Sequence, residues 1–281
     1  MSTHTSSKHP TNHLPGHPKA AYSPAADGRF TSSALTRGPW HPDHQHAGPP
    51  IALVCRAVEA AAHSHGLTHL ARLTANLLRP VPIGEMEVKV TTIYVGRNAG
   101  HFSAQLMADG KEVGVFTALA QRENELELPE GLAGHPLPTM ACLPADSQPA
   151  HFPCAGRHVG YSDLVETREA RGHLFEGPCA IWFRLAYPLV NDEVPSAYQR
   201  VAVAADSGNG ISAVLDYQRY SFVNSDLTIN LLRRPQGEWI CLDARTWLGS
   251  NGCGLAESAL YDEHGLVGRA TQSLAVRKLS P

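Results

Sequence analysis

Apolar residues recur every three to four positions through the stretch PPIALVCRAVEAAAHSH, which begins at Pro49. This spacing is typical of a helix that buries one face, and the preceding Gly-Pro-Pro suits a first helical turn. Four strand-like stretches follow, at about 69–79, 86–96, 101–108 and 112–122. A turn at Asp109-Gly110 leads into the last of them. The first half is therefore predicted to be one long helix followed by an antiparallel sheet.

The second half repeats this order after the Pro-rich, weakly patterned residues 129–160. A strand-like IWFRLAYPL at 181–189 leads through QRVAVAAD to a short helix predicted around 208–219, with Ile211, Val214 and Leu215 on one face. Four further strands are predicted, at about 222–233, 238–247, 252–261 and 266–277. The predicted order of helix and strands is thus the same in the two halves.

Two segments of the chain are nearly identical, LTANLLR at 73–79 and LTINLLR at 227–233, at an offset of 227 − 73 = 154 residues. Val113-Gly114 is matched by Val267-Gly268 at the same offset, 267 − 113 = 154. Two matches at one offset indicate a duplicated domain, and the repeated segment is predicted to be the same strand in two copies.

Each half, at about 120 residues, must bury both its helix and one face of its sheet, and wrapping the sheet around the helix achieves this. Two such halves can join edge to edge and so cover strand edges that invite aggregation. We predict an α+β fold, a tandem (double) hotdog in which each half is an antiparallel sheet wrapped around a central helix. The predicted boundaries are a flexible leader over 1–28, an N-terminal hotdog over 29–128, a linker over 129–160 and a C-terminal hotdog over 161–281.

Composition narrows the function classes. A net charge of −3 gives no basic footprint for nucleic acid, so no nucleic-acid partner is expected. No apolar run approaches the ~20 residues that span a bilayer, and the N-terminus lacks the apolar core of a signal peptide. We therefore expect a cytoplasmic protein without a membrane span. The six cysteines form no C-x-x-C pair and are expected to be reduced, without a chemical role.

His41, His44 and His46 lie close together in HPDHQH, beside Asp43. Histidines in a loop next to proline are more often structural or solvated than metal ligands. We expect neither a metal nor a cofactor.

Three stretches carry a resemblance to a known family: GPWHPDHQHAGPPIALVCRAVE, RLTANLLRPVP and NSDLTINLLRRPQGEWICLDARTW. Together with the His-Ala-Gly-Pro-Pro helix start and the Arg-x-Pro strand end, they resemble the thioesterase-like superfamily related to acyl-CoA thioesterase II, over roughly residues 29–278. The resemblance implies a double hotdog of lipid metabolism that hydrolyses an acyl thioester of CoA or of an acyl-carrier protein. Assembly into a homo-oligomer stays open.

Enzymes of that family hold the attacking water with an Asp, a Thr or Ser, and a Gln, all from the second half. Matched onto this chain, the Asp is Asp206 in VAVAADSGNG and the Gln is Gln272 in GRATQSLAVRK. The hydroxyl position falls on Asn224, a departure from the usual Thr. An amide can orient water, but it cannot relay a proton as a hydroxyl does.

Thioester hydrolysis needs a positioned water, a carboxylate that takes its proton, and donors facing the developing oxyanion. The predicted donors are the backbone N–H groups of Gly208, Asn209 and Gly210 at a helix N-terminus. The resemblance implies that the helix start with His46 and Gly48 lines the acyl-CoA cleft.

The offset of the duplication assigns counterparts to the reacting groups: 272 − 154 = 118 and 224 − 154 = 70. Gln272 is answered by Ala118 and Asn224 by Leu70, neither of which can hold a water. One active centre per chain is therefore expected.

Two other functions stay open. A non-catalytic acyl-thioester binding protein would account for the amide at 224 as a sign of lost catalysis. A hotdog hydratase or dehydratase would need a His and a carboxylate at family spacing, and Asp43-x-x-His46 does not fit the usual D-x-x-x-x-H.

Overall fold

The computed structural model describes residues 17–129, 136–152 and 158–279. The first half contains β1 (Tyr22–Pro24), β2 (Phe30–Ser32), α1 (Gly48–His63), β3 (His69–Leu77), β4 (Glu85–Val95), β5 (Ala99–Ala108) and β6 (Lys111–Gln121). The second half contains β7 (Gln148–Ala150), α2 (Tyr161–Leu164), β8 (Val165–Arg171), β9 (Cys179–Leu185), α3 (Ala197–Ala205), α4 (Gly208–Ile211), β10 (Tyr220–Asn224), β11 (Asp226–Leu231), β12 (Ile240–Leu248), β13 (Cys253–Asp262) and β14 (Gly265–Lys278).

All the strands belong to one sheet, in the order β1-β2-β4-β5-β6-β3-β11-β14-β13-β12-β9-β8-β7, with β10 also paired to β14. The pairs between these strands are antiparallel. β3 and β11 meet in the middle, so the two repeated segments form the seam between the halves. In the described part of the chain, no helix is long and apolar enough to cross a membrane.

The seam has the register that a duplication with two-fold symmetry requires. Thr74 pairs with Thr228, and 228 − 74 = 154 is the offset of the repeat. Leu73 pairs with Ile229 and Ala75 with Leu227, so exchanging the halves reproduces the same pairs. The two threonine hydroxyls lie 3.3 Å apart across the local two-fold axis. Equivalent residues of the two copies are thus placed symmetrically about this point.

The helices α1 and α3 pack side by side against the inner face of the sheet. Their backbones come very close at Gly48, where a Cβ atom would lie 2.4 Å from the carbonyl oxygen of Val203. Only glycine allows this approach. The start of α1 is thereby held against the end of α3.

The helix predicted over 208–219 is wrong in position. The structure has a helix at Ala197–Ala205 and a single turn at Gly208–Ile211, and Val214 is exposed. The Ser196 hydroxyl caps α3 by accepting a hydrogen bond from the Gln199 N–H, 3.1 Å away. The alternating Val and Ala of QRVAVAAD read as an extended stretch, but buried alanines suit a helix packed closely against another.

The boundary between the predicted linker and the second half also differs. β7 lies within the predicted linker 129–160 and pairs with β8, so its residues belong to the sheet. β8 itself was not predicted, because in VETREAR charged residues occupy most positions and hide the apolar alternation.

The predicted leader over 1–28 extends too far along the chain. Ala20, Ala21 and Tyr22 are buried, and β1 pairs with β2. Tyr22 also bonds to the second half, because its N–H donates to the Leu189 carbonyl and its own carbonyl accepts from the Asn191 N–H. Residues 1–16 lie outside the described residues. The apolar stretch formed by Ala20, Ala21 and Tyr22 is too short to show a periodicity in the sequence.

This segment gives a testable stability prediction. Tyr22 is fully buried and its hydroxyl donates to Gln45 Oε1 at 2.6 Å. We expect Tyr22→Ala to lower the free energy of unfolding in urea by roughly 3–5 kcal/mol, as for other buried aromatic residues. Tyr94→Ala, at an exposed tyrosine, serves as the control and should stay within about 0.5 kcal/mol of wild type. A Tyr22→Ala variant as stable as that control would show that the segment contributes little.

Candidate active site

The three predicted reacting side chains meet in the second half. Asp206 ends α3, Asn224 ends β10, and Gln272 lies on β14 between the buried Ala270 and Leu274. Because side chains alternate between the two faces of a strand, Gln272 points to the same side as Ala270 and Leu274, towards the helices. The sheet and the helix end thus bring residues separated by up to 66 positions into contact.

The Asp206 carboxylate is buried and accepts hydrogen bonds from side chains on both sides. Asn224 Nδ2 donates to Oδ1 at 2.9 Å, and Gln272 Nε2 lies 3.4 Å from the same oxygen. Gln272 Nε2 also donates to the Asp206 main-chain carbonyl at 3.1 Å. A buried carboxylate needs such partners, because its desolvation is otherwise costly. The Asp206 side chain does not cap the following turn α4, whose N-cap residue is Ser207.

The third side-chain partner of the Asp206 carboxylate comes from the first half. His46 Nδ1 lies 3.0 Å from Asp206 Oδ2, with the histidine side chain 15% exposed. Burial lowers the pKa of His46, and the Asp206 carboxylate, which acts in the opposite direction, offsets only part of this. A neutral ring can donate a hydrogen bond to Asp206 Oδ2 only when its proton is on Nδ1. The Gly48 N–H also points at Nδ1, at 3.2 Å, but a carboxylate is an acceptor only, so the proton faces Asp206.

Tyr161 at the start of α2 fixes the plane of this histidine. Its ring stacks on His46 with centroids 3.7 Å apart and an interplanar angle of 3°. Its hydroxyl donates to the Val203 carbonyl at 2.9 Å and lies 2.9 Å from Ser207 Oγ. Sequence reasoning missed both Tyr161 and the contact between His46 and Asp206. No local pattern marks either, since the residues involved are far apart along the chain.

Gln272 makes more hydrogen bonds within the protein than the sequence suggested. It is 2% exposed, and its Oε1 accepts the Asn209 N–H at 2.9 Å while its Nε2 holds Asp206. Little hydrogen-bonding capacity is left for a water. The geometry makes Gln272 a residue that positions Asp206 and the turn after it.

The predicted oxyanion donors lie on α4, which is only four residues long. The Asn209 N–H is already bonded to Gln272, so it does not face a substrate as expected. Gly208 packs so closely on β13 that a Cβ there would lie 2.6 Å from Ser258 Oγ. Gly208 and Gly210 are the predicted donors that Gln272 does not occupy.

Gly48 was predicted to contact substrate, but the structure buries it under α3. Its role is to allow the close contact of the two helices, which carries His46 to Asp206.

An extra residue on the strand orients Asn224. Asn224 pairs with Leu274 but Thr228 pairs with Thr271, so the strand gains one residue between β10 and β11 relative to β14. The first half has an irregularity at the matching place, between Leu70 and Arg72. Among the described residues, Asn224 Oδ1 receives no hydrogen bond, whereas its Nδ2 is engaged. This oxygen is the acceptor that a water can use.

The first half lacks the reacting groups. Leu70 and Ala118, the counterparts of Asn224 and Gln272, are buried and apolar. Among the residues that the structure describes, no group of three or more potential metal ligands occurs.

Two family models match the sequence in adjacent segments. Residues 36–122 match the acyl-CoA thioesterase N-terminal domain, and residues 140–276 match the acyl-CoA thioesterase C-terminal domain. The two matches coincide with the two halves of the fold and cover the candidate site. No curated protein matches the chain.

Solved structures share the architecture over nearly the whole chain. A protein from Thermobifida fusca, provisionally assigned as a thioesterase II, superposes with a TM-score of 0.70 at 14% identity, covering 92% of this chain and 96% of its own. A hot dog fold protein of unknown function from Alicyclobacillus acidocaldarius gives 0.67 at 18%, covering 92% and 96%. The acyl-CoA thioesterase II TesB2 from Mycobacterium marinum gives 0.62 at 16%, covering 90% and 94%. At these identities the likeness shows the hotdog fold.

The contact between His46 and Asp206 predicts a specific pH response. Because burial lowers the pKa of His46, an NMR titration should give a value below the ordinary ~6.5. Asp206→Asn removes the negative charge that raises this pKa, so the His46 pKa should fall further. Asp43→Asn, an exposed carboxylate nearby in sequence, should leave it unchanged. A rise of the pKa in Asp206→Asn would contradict the assigned contact.

Proposed function

Because the chain belongs to the thioesterase-like superfamily, in the acyl-CoA thioesterase II-like branch, we propose that it is an acyl-CoA thioesterase, a double hotdog that hydrolyses an acyl thioester to the free acid and CoA. The observation that carries the proposal is the buried Asp206 carboxylate, held by Asn224 and Gln272 from the second half and by His46 from the first. A carboxylate so placed is suited to accept a proton from water.

In the proposed reaction Asp206 is the general base. A water donates one hydrogen bond to Asn224 Oδ1 and a second to the Asp206 carboxylate. Its oxygen accepts no hydrogen bond from the protein in this scheme. Its oxygen attacks the thioester carbonyl carbon as its proton moves to Asp206. The tetrahedral intermediate then collapses, the C–S bond breaks, and the leaving sulfur takes the proton as the free thiol. A general base of this kind raises the reaction rate by about 10²–10⁴-fold.

His46 supports the base in this scheme. The Nδ1–H bond to Oδ2 keeps one carboxylate oxygen occupied and directs the other, Oδ1, towards Asn224. The stacked Tyr161 ring holds the histidine in this orientation. His46 is thus proposed to position the base, although the sequence pointed to it as a substrate contact.

Asn224 favours a second candidate function. An amide at this position can orient the water but cannot relay a proton, which is what a non-catalytic acyl-thioester binding protein would tolerate. Release of free thiol from a panel of acyl-CoA and acyl-carrier-protein thioesters separates the two functions. Release that exceeds the rate without protein supports the enzyme, and tight binding without release supports the binding protein.

Asp206→Asn tests the base directly. We expect it to reduce thiol release by about 10²–10⁴-fold. It should also cost roughly 1–3 kcal/mol of folding stability, because an amide N–H₂ would face the donors of Asn224 or His46. Asp243→Asn, at a partly exposed aspartate paired with Arg171 on the sheet surface, is the matched control and should keep near wild-type turnover. Near wild-type turnover in Asp206→Asn would remove it as the base.

The duplication gives a paired prediction for the two halves. Gln272→Ala frees Asp206 from its tether and should lower turnover by roughly 10²-fold, as misplacement of a reacting group does. Ala118→Ser, at the counterpart in the first half, should leave turnover close to wild type. Calorimetry with a non-hydrolysable acyl-CoA analogue should saturate at one ligand per chain. Equal sensitivity at both positions, or two equivalent ligands, would mean that both halves are active.

A further inference from the structure

Three exposed basic residues lie together where β10 begins and β14 ends. Arg277 and Lys278 pair with the first two residues of β10. The Arg219 carbonyl, directly before β10, accepts the Leu279 N–H at 2.9 Å. Arg219, Arg277 and Lys278 are therefore neighbours at one end of the sheet, and we call them the basic cluster. In the part of the chain that the structure describes, none of the three takes part in an ion pair.

The basic cluster concentrates positive charge on a protein whose net charge is −3. The carboxylate of Asp216 is close in sequence, but it accepts the Gln218 N–H at 2.9 Å and forms no ion pair with Arg219 among the described residues. Exposed charges of one sign that lie together attract ligands of the opposite sign. The cluster is thus suited to an anionic group.

The first half has no such charges at the matching positions. The Arg122 N–H, just after β6, donates to the Asn98 carbonyl, and the residues 154 positions later make the same bond. After this bond the first half continues with Glu123 and Asn124, where the second half has two members of the basic cluster. The positive charge therefore belongs to the half that carries the groups proposed to react.

One face of β14 leads from the proposed reacting groups to the basic cluster. Gln272 and Leu274 are buried, Val276 is half-buried and Lys278 is exposed, and alternation places all four on the same face of the strand. Asn224 pairs with Leu274, so Lys278 lies ~13 Å further along the strand than this pair. A ligand that extends from the buried groups along β14 therefore reaches solvent at the basic cluster.

This spacing matches the pantetheine arm of CoA. About thirteen bonds join the thioester sulfur to the first phosphorus atom, and an extended chain advances ~1.2 Å per bond, which gives ~15 Å. The arm itself is uncharged, and the negative charge of CoA lies on the phosphate groups beyond it. A thioester carbonyl placed at Asp206 and Asn224 would therefore bring these phosphates within reach of Lys278.

We propose that Arg219, Arg277 and Lys278 bind the phosphate groups at the nucleotide end of CoA, with the pantetheine arm lying along β10 and β14. The inference rests on the proposed thioesterase function, and it assigns the part of the substrate that the reacting groups do not touch. Arginine and lysine are common phosphate partners, because both donate charged hydrogen bonds. A carrier protein presents the same arm with a single phosphate, so the two kinds of substrate can be distinguished.

The test compares thioesters of one acyl group with CoA, with phosphopantetheine and with pantetheine, which carry successively less phosphate. We expect wild type to prefer acyl-CoA over acyl-pantetheine by roughly tenfold or more in kcat/KM at low salt, since complementary charge raises association by that order. The triple variant Arg219→Ala, Arg277→Ala, Lys278→Ala should largely remove this preference, as should salt at ~1 M in wild type. Lys111→Ala, at an exposed lysine of the first half, is the matched control and should retain it.

Three outcomes would overturn the proposal. Equal kcat/KM for acyl-CoA and acyl-pantetheine in wild type would exclude a contact with phosphate. An unchanged preference in the triple variant, which should fold because all three side chains are exposed, would place that contact elsewhere. A loss confined to acyl-carrier-protein substrates would show that the basic cluster docks the carrier protein instead.

Calorimetry with CoA and with pantetheine separates this proposal from the thioesterase function itself. If wild type releases no thiol from any thioester, the proposed function fails, and the affinities of these two compounds for the intact protein still test the basic cluster. Tighter binding of CoA than of pantetheine, lost in the triple variant, would support the assignment. Equal binding of the two compounds would overturn it.

Discussion

The candidate site depends on how closely the two central helices approach each other at Gly48. A side chain there would collide with the Val203 carbonyl, so any other residue would push α1 and α3 apart. His46 lies two residues before Gly48 and Asp206 three residues after Val203. Their 3.0 Å contact therefore exists only while this helix contact holds. The steric limit at one glycine thus joins a residue of the first half to the carboxylate of the second.

The seam is symmetric, but among the described residues only the second half carries the groups proposed to react. The β3–β11 seam places equivalent residues symmetrically around Thr74 and Thr228. A second carboxylate opposite Asp206 would need its own set of buried donors, because an unpaired buried charge is strongly unfavourable. The first half has Leu70 and Ala118 in place of Asn224 and Gln272, and the apolar packing there needs no such partners. The two copies thus share the scaffold, while Asn224 and Gln272 have apolar counterparts in the first half.

A chain of buried hydrogen bonds holds the candidate site together. Asp206, Gln272 and Asn209 form one chain of hydrogen bonds, in which each amide is used to hold the next group. Asn209 ends this chain, and its Nδ2 donates to the Phe222 carbonyl on β10. The network that holds the proposed base therefore ties the end of α3 to β14, α4 and β10.

The sequence by itself determined the duplication, the offset of 154, the first helix and nearly all the strands after it, because periodic apolar positions reflect local geometry that each segment carries alone. Asp206, Gln272 and Asn224 could be named through the family resemblance. Other features depended on tertiary structure. The helix at Ala197–Ala205 was misplaced because its Ala and Val residues suit a helix only when packed against α1. Residues far apart in the chain are linked by the hydrogen bond from His46 to Asp206, the stacking of Tyr161 on His46 and the hydrogen bonds of Gln272. Such contacts are set by how the halves pack together, and no local pattern of residue types predicts them.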